Sequence, residues 1–120
     1  MHAKEIVLDF YKSDVILDKN AVKEFLHPEI TIDWNSSKGF IQMNFDDIIR
    51  LVEEMSKAYL RSKIKISHII EEGDTVSVRF SHFVKTIENQ REEMLLAHFF
   101  VIWEIKEGKL FKGFQMSQFS

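Results

Sequence analysis

The side chain best suited to chemistry in this sequence is His82, which interrupts an apolar alternation. The segment TVSVRFSHFVKT, residues 75–86, places His82 in register with Val76, Val78 and Phe80, and side chains two residues apart lie on the same face of a strand. An imidazole that lines an apolar pocket can act as acid or base near neutral pH. We therefore predict His82 as a catalytic residue; the alternative is a hydrogen-bonded histidine at the pocket rim without a chemical role.

Asp33 is the second candidate for acid–base chemistry. It lies in EITIDWN, residues 29–35, where Ile30, Ile32 and Trp34 alternate with polar residues. Adjacent residues of a strand point to opposite faces, so Asp33 reaches the pocket only if a β-bulge shifts the strand by one residue. Asp33 as a catalytic pocket acid is thus a hypothesis that depends on this register.

The histidines of the predicted strands do not form a metal-binding pattern. His68 is predicted on the inner face with Ile64 and Ile66, where it joins His82 if the two strands pair suitably, whereas His98 is predicted on the outer face. A metal needs ligands that converge, so we predict no metal site. The sequence also has no glycine-rich phosphate loop, and we predict no cofactor.

Three predicted helices precede the main sheet. The first covers residues 3–12, the second follows the N-cap Asp18 and ends before Pro28, and the third covers residues 45–60 after the N-cap Asn44. Apolar residues recur at helical spacing in all three and form a stripe that must be buried.

Period-two alternation predicts the strands that position His82 and Asp33. Helices on one face of a twisted, mostly antiparallel sheet make an α+β fold, and 120 residues fit one domain, residues 1–120. The stretch FIQMN, residues 40–44, is ambiguous. The predicted strands are residues 29–35, 62–71, 75–86, 95–106 and 110–119.

Composition excludes several classes of protein. The net charge is −3 and the charges are scattered, so a nucleic-acid partner is not expected. No run approaches the roughly 20 apolar residues that span a membrane. Cysteine is absent, which excludes disulfides and thiol catalysis and fits a cytoplasmic protein.

Three stretches resemble a known superfamily in their order and spacing: FLHPEITIDWN, ISHIIEEGDTVSVRFSH and FFVIWEIKEGKLFKGFQ. Together they resemble the nuclear transport factor 2-like superfamily, and within it the SnoaL-like, ketosteroid-isomerase-like group. The resemblance covers nearly the whole chain and implies a cone-shaped fold, with the N-terminal helices on the concave face of the sheet. The fold hosts isomerases, cyclases, dehydratases and binding modules, so it does not select among them.

The steroid-isomerase members of this group use an aspartate base on the first strand, a tyrosine from the first helix and a protonated aspartate on a central strand. The resemblance puts Trp34 at the base position, Phe10 or Tyr11 at the tyrosine position, and Val101 at or near the second acid. The isomerase constellation is therefore largely absent, which argues against that specific reaction.

A pocket between helices and sheet is predicted from the inward positions of each element. We expect it to bind a small, largely apolar molecule, and His82 with Asp33 to supply acid–base chemistry such as isomerisation, cyclisation or dehydration. A non-catalytic homodimeric module that binds a ligand or a protein is the alternative. The predicted ligand-binding residues are Tyr11, Trp34, Met55, Phe80, Phe99, Val101, Trp103 and Gln115.

The uncovered face of the sheet is predicted to form a homodimer interface. Its apolar side chains exceed what a monomer normally exposes, and a self-complementary patch favours a two-fold dimer. Many members of the resembling superfamily pair through this face. The predicted interface residues are Arg79, Phe83, His98, Phe100, Ile102 and Glu104, joined by Phe114 and Met116 if Gln115 faces the pocket.

Overall fold

The computed structural model describes residues 2–119, which form three α-helices, one short 3-10 turn and six strands. The helices are α1 (Ala3–Phe10), α2 (Lys19–Phe25) and α3 (Phe45–Ala58), with the 3-10 turn at Val15–Leu17. The strands are β1 (Leu26–Ser36), β2 (Gly39–Met43), β3 (Tyr59–Glu72), β4 (Thr75–Thr86), β5 (Met94–Lys106) and β6 (Lys109–Phe119). Within residues 2–119, no helix is long and apolar enough to cross a membrane.

The strands form one sheet in the order β2-β1-β6-β5-β4-β3. β1 and β6 are parallel, and every other neighbouring pair is antiparallel. α1 contacts β3 and β4, while α3 contacts β1, β2 and β3, so the helices cover one face. The predicted α+β fold is confirmed, and the ambiguous FIQMN stretch forms most of the edge strand β2.

Two helices begin at their predicted N-caps. Asp18 Oδ1 accepts hydrogen bonds from the backbone N–H groups of Asn20 and Ala21, at 3.0 and 3.2 Å. Asn44 and Asp47 form a capping box in which each side chain accepts from the other residue's N–H at 3.0 Å. These bonds satisfy backbone donors that have no partner within the helix.

β1 begins earlier than the sequence indicates, because the chain passes from α2 into the sheet at Leu26. Pairing with β6 shifts register between Leu26 and Thr31, and Pro28 lies in this irregular part, where its missing N–H interrupts no regular ladder. From Thr31 to Asn35 the register is continuous. The residues around Asp33 therefore alternate strictly between the two faces.

A bulge in β3 reverses the predicted face of His68. Ile66 pairs with Phe80 but His68 pairs with Arg79, so Ser67 is an extra residue in the ladder. One inserted residue moves every following side chain to the other face. His68 is consequently exposed on the uncovered face, and its predicted position on the inner face is wrong.

Candidate active site

A cavity of about 120 Å³ lies between the helices and the covered face of the sheet. On the helix side, the aliphatic residues Leu51, Val52 and Met55 of α3 line the cavity. On the sheet side, the polar residues His82 and Gln115 line it. Among residues 2–119, no acidic side chain, lysine or arginine lines it. Its aromatic lining consists of Phe10, Tyr11, Trp34, Phe80, Phe99 and Trp103.

His82 is buried on β4 and faces this cavity. Its Nε2 lies 2.7 Å from the Ser62 hydroxyl oxygen. Burial lowers the pKa of His82 from its ordinary 6.5 to about 4, because the charged form loses its hydration. The imidazole is therefore neutral at pH 7.

The second ring nitrogen of His82 is the one that can meet a ligand. Among the described residues, no hydrogen-bond partner is found for Nδ1, and no fully buried side-chain nitrogen or oxygen lacks a partner. Nδ1 therefore keeps some accessible surface, and His82 lines the cavity. Nδ1 accepts a hydrogen bond when Nε2–H donates to Ser62, and it donates when the Ser62 hydroxyl donates to Nε2.

Ser62 is itself held by Asp14, which lies just before the 3-10 turn. The N–H of Asp14 donates to the Ser62 carbonyl at 2.9 Å, and Asp14 Oδ1 accepts from the Ser62 N–H at 2.8 Å. Asp14 Oδ2 accepts from Arg61 Nε at 2.9 Å, and its backbone has a left-handed φ of 67°. The position of the His82 ring thus depends on contacts outside the cavity.

Sequence reasoning gave Ser62 no role, although a usable signal was present. Ser62 precedes Ile64 by two residues, so it continues the inward alternation of β3 as a small polar residue. Ile64 pairs with His82 in the ladder, and Ser62 pairs with Val84. An inward serine one step along the neighbouring strand from an inward histidine is within reach of a cross-strand hydrogen bond.

We expect Ser62→Ala to destabilise the protein, because it leaves His82 Nε2 buried without a partner. Losing one partner of a buried hydrogen bond costs about 1–3 kcal/mol. Urea denaturation at pH 7 measures the loss. The matched control is Ser81→Ala, since the Ser81 hydroxyl bonds His98 Nδ1 at 2.9 Å on the exposed face, where about 0.5 kcal/mol or less is expected. Equal effects of the two variants would contradict the structural role of Ser62.

Tyr11 supplies a hydrogen-bond donor to the cavity. Trp103 Nε1 donates to the Tyr11 hydroxyl at 3.0 Å, so the phenol oxygen is an acceptor in that bond, and within residues 2–119 no acceptor is found for the phenol hydrogen. Burial raises the pKa of Tyr11, and the Trp103 bond lowers it by less. Gly113 leaves room for the indole, because a Cβ there would lie 2.7 Å from the Trp103 ring.

Aromatic contacts connect Tyr11 with His82 along the cavity wall. The ring centroids of Tyr11 and Phe80 are 4.6 Å apart, and Phe80 stacks on Phe99 at 5.0 Å with planes 14° apart. The Phe99 ring centroid lies 6.3 Å from that of His82 and 6.3 Å from that of Trp34. The cavity therefore offers flat π-surface between Tyr11 and His82.

Two predicted site residues lie outside the cavity. Asp33 points to the uncovered face and accepts a hydrogen bond from Gln42 Nε2 on β2 at 2.8 Å, because the β1 irregularity ends before it. The hypothesis that Asp33 is the pocket acid is wrong on this geometry. Val101 is fully buried in the hydrophobic core and does not line the cavity.

The other predicted residues line the cavity: Tyr11, Trp34, Met55, Phe80, His82, Phe99, Trp103 and Gln115. Trp34 is fixed by its Nε1, which donates to Ser117 Oγ at 2.8 Å. Within the described part of the chain, no group of three His, Asp or Glu residues could hold a metal ion. Among the described residues that line the cavity, the titratable side chains are His82 and Tyr11.

Solved structures share this fold over nearly the whole chain. IdmH from Streptomyces antibioticus, described as a candidate polyketide cyclase, has a TM-score of 0.77 at 10% identity, with 98% of this chain and 92% of that chain covered. A candidate SnoaL-like polyketide cyclase from Jannaschia has a TM-score of 0.71 at 11% identity, with coverages of 96% and 84%. Identities this low establish a common fold and leave the substrate open.

A third similar structure is a protein from Catenulispora acidiphila with a ketosteroid isomerase-like fold, in complex with trimethylamine. Its TM-score is 0.71 at 11% identity, with 92% of this chain and 83% of that chain covered. No protein-family model matches the sequence, and no curated protein matches it. On structure, the chain shares the fold of these SnoaL-like and ketosteroid isomerase-like proteins.

Proposed function

We propose that this protein binds a small, largely apolar molecule in the cavity. His82 then acts as a general base that transfers a proton of this molecule. The observation that carries the proposal is a neutral imidazole that lines a largely apolar cavity and bonds Ser62 through Nε2, which leaves Nδ1 for a ligand. In a cavity lined this way, hydrophobic burial supplies affinity and the few polar groups fix orientation. The candidate cyclase names of two similar structures agree with acid–base chemistry.

The chemistry of His82 and Tyr11 suits proton abstraction next to a carbonyl group. With Nε2–H donated to Ser62, the Nδ1 lone pair takes a proton from the carbon beside the carbonyl, and the C–H electrons form an enolate. The Tyr11 O–H stabilises the enolate oxygen as an oxyanion donor. Return of the proton to the same carbon gives exchange, and return to another carbon gives isomerisation; no oxidant or reductant is needed.

Exchange of α-protons with D₂O tests this function without knowledge of the natural substrate. We expect the protein to accelerate the loss of the α-proton signals of a bound small ketone, measured by ¹H NMR against buffer alone. Binding without exchange across a panel of ketones would instead favour the alternative, a non-catalytic binding module. Absence of both binding and exchange would overturn the proposal.

We also propose a homodimer through the uncovered face of the sheet. Side chains on neighbouring strands there are apolar and exposed: Phe100 by 49%, Met116 by 63%, and Ile102 and Phe114 by about 40%. Phe100 pairs with Met116, and Ile102 with Phe114, so the four form one patch. Burying each large apolar side chain contributes roughly 1.5–3 kcal/mol, and a second copy offers a matching patch.

Charge substitutions test the dimer. We expect Phe100→Glu or Ile102→Glu to convert the dimer to a monomer, because each buries a carboxylate in an apolar interface. Light scattering at micromolar concentration measures the mass. Ile87→Glu is the control, since Ile87 is exposed but follows the end of β4. A wild-type monomer, or a dimer that survives both substitutions, would contradict the proposal. The cytoplasmic location expected from the sequence stays a prediction.

A further inference from the structure

The volume of the cavity limits the size of the ligand more sharply than its apolar lining does. At about 120 Å³, it is below the roughly 300–1,000 Å³ of pockets for drug-sized ligands. An engineered apolar cavity of about 150 Å³ binds one benzene molecule. The space inside the cavity is therefore on the scale of a single six-membered ring, and a fused multi-ring molecule would have to extend out of its open side.

The lack of charged side chains in the lining limits the charge of the ligand. Among residues 2–119, no Lys or Arg lines the cavity to pair with an anion, and no Asp or Glu lines it to pair with a cation. Burying an unpaired charge is strongly unfavourable. The aromatic walls attract cations through their faces, but His82, Gln115 and Tyr11 offer no compensating negative charge. A neutral ligand is the one that the lining accommodates without an unpaired charge.

The polar atoms of the lining indicate one oxygen on the ligand. The Tyr11 hydroxyl hydrogen is not used by Trp103, which donates to the same oxygen. Gln115 lines the cavity with an amide that can donate as well. A carbonyl oxygen accepts such bonds and needs no proton of its own. The stacked Phe80 and Phe99 rings present flat walls that suit a ring.

We propose that the ligand class of this cavity is a neutral one-ring ketone, or a larger molecule that inserts only such a ring. This inference rests on the proposed function, because it assigns a substrate class to the same site. It specifies two independent properties of the ligand, its number of rings and its charge. Binding measurements test both without any need for catalysis.

Four probes test ring number and charge separately. They are cyclohexanone, its two-ring analogue 2-decalone, the anion cyclohexanecarboxylate, and the cation tetramethylammonium. Dissociation constants are measured by ligand-observed NMR on the full chain. We expect cyclohexanone to bind, and the dissociation constants of the other three to be larger by about tenfold or more, because overpacking and unpaired charge each oppose binding. The order of the four dissociation constants is the test, since ligands as small as these are expected to bind weakly in absolute terms.

A variant that enlarges the cavity tests the size limit directly. We expect Met55→Ala to improve 2-decalone binding relative to cyclohexanone, because Met55 lines the cavity from α3. Leu8→Ala is the matched control, since Leu8 lies on the exposed side of α1, and its selectivity should equal that of the wild type. A circular dichroism spectrum and thermal unfolding confirm that both variants fold.

The outcomes distinguish this inference from the proposed function. Tighter binding of 2-decalone by the wild type overturns the one-ring limit and leaves the proposed function standing. Tighter binding of cyclohexanecarboxylate or tetramethylammonium overturns the neutrality of the ligand. Failure of every ring compound to bind, in wild type and in Met55→Ala, overturns the proposed function together with the inference.

Discussion

Replacing His82 by glutamine is expected to abolish catalysed exchange of ketone α-protons while the fold remains intact. Glutamine keeps a polar side chain of similar reach that can still bond Ser62, but it cannot take up a proton near neutral pH. A positioned general base contributes typically about 10²–10⁴-fold to rate, so the loss should fall in that range. The measurement is the rate of deuterium incorporation into cyclohexanone in D₂O, followed by ¹H NMR.

The matched control is His98→Gln, because His98 also bonds a serine, with Nδ1 to Ser81 on the uncovered face, whereas His82 bonds Ser62 with Nε2 on the covered face. It changes the same side chain in the same way on the opposite side of the sheet, so exchange should continue at the wild-type rate. Exchange that survives His82→Gln would assign the base to another group. A loss in both variants would indicate damage to the sheet and not to the site.

The position of His82 could be predicted from sequence because strand alternation is a local property. β4 has no irregularity from Val76 to His82 in its pairing with β5, and the first shift comes after His82. The apolar residues of the run therefore report the face of the histidine correctly. The same reasoning placed Trp103 on the covered face, where it lines the cavity.

The face of the sheet on which His68 and Asp33 lie depends on where the strand pairing is irregular. The residue pattern of a single strand does not show where such an irregularity occurs. The bulge at Ser67 changes the face of His68, although the alternation of SKIKISH, residues 62–68, shows no break. In β1 the irregularity lies upstream of Thr31 and leaves Asp33 on the outer face. A bulge depends on the partner strand, so the residues of one strand do not determine it.

The distinction between cavity and core was also beyond the sequence. Val101 and Phe99 are both inward residues of β5, yet Val101 packs fully in the core while Phe99 lines the cavity. Which inward residues meet empty space depends on how the helices sit over the sheet. Alternation identifies the covered face and does not locate the gap in its packing.

Acidification is expected to destabilise the folded protein through His82 by about 3 kcal/mol between neutral pH and pH 4. The pKa of His82 is about 4 in the folded protein, against about 6.5 for an unfolded histidine. Between these values the unfolded chain binds a proton that the folded protein does not. The stabilisation is therefore complete above pH 6.5 and is lost as pH falls to 4, with about 2 kcal/mol gone by pH 5.

The variant His82→Leu isolates this effect from the general influence of acid. Leucine cannot titrate, so the free energy of unfolding should fall less between pH 7 and pH 5 than in the wild type, by about 2 kcal/mol. Urea denaturation at both pH values gives the difference within each protein, which removes the separate cost of leaving the Ser62 hydroxyl without its partner. The control is His68→Gln, which removes a histidine on the exposed face and keeps His82. Its free energy of unfolding should fall between pH 7 and pH 5 as much as that of the wild type. Should His82→Leu lose as much stability as the wild type, His82 would not be neutral in the folded protein, and the imidazole could not be the base at pH 7 that the proposed chemistry requires.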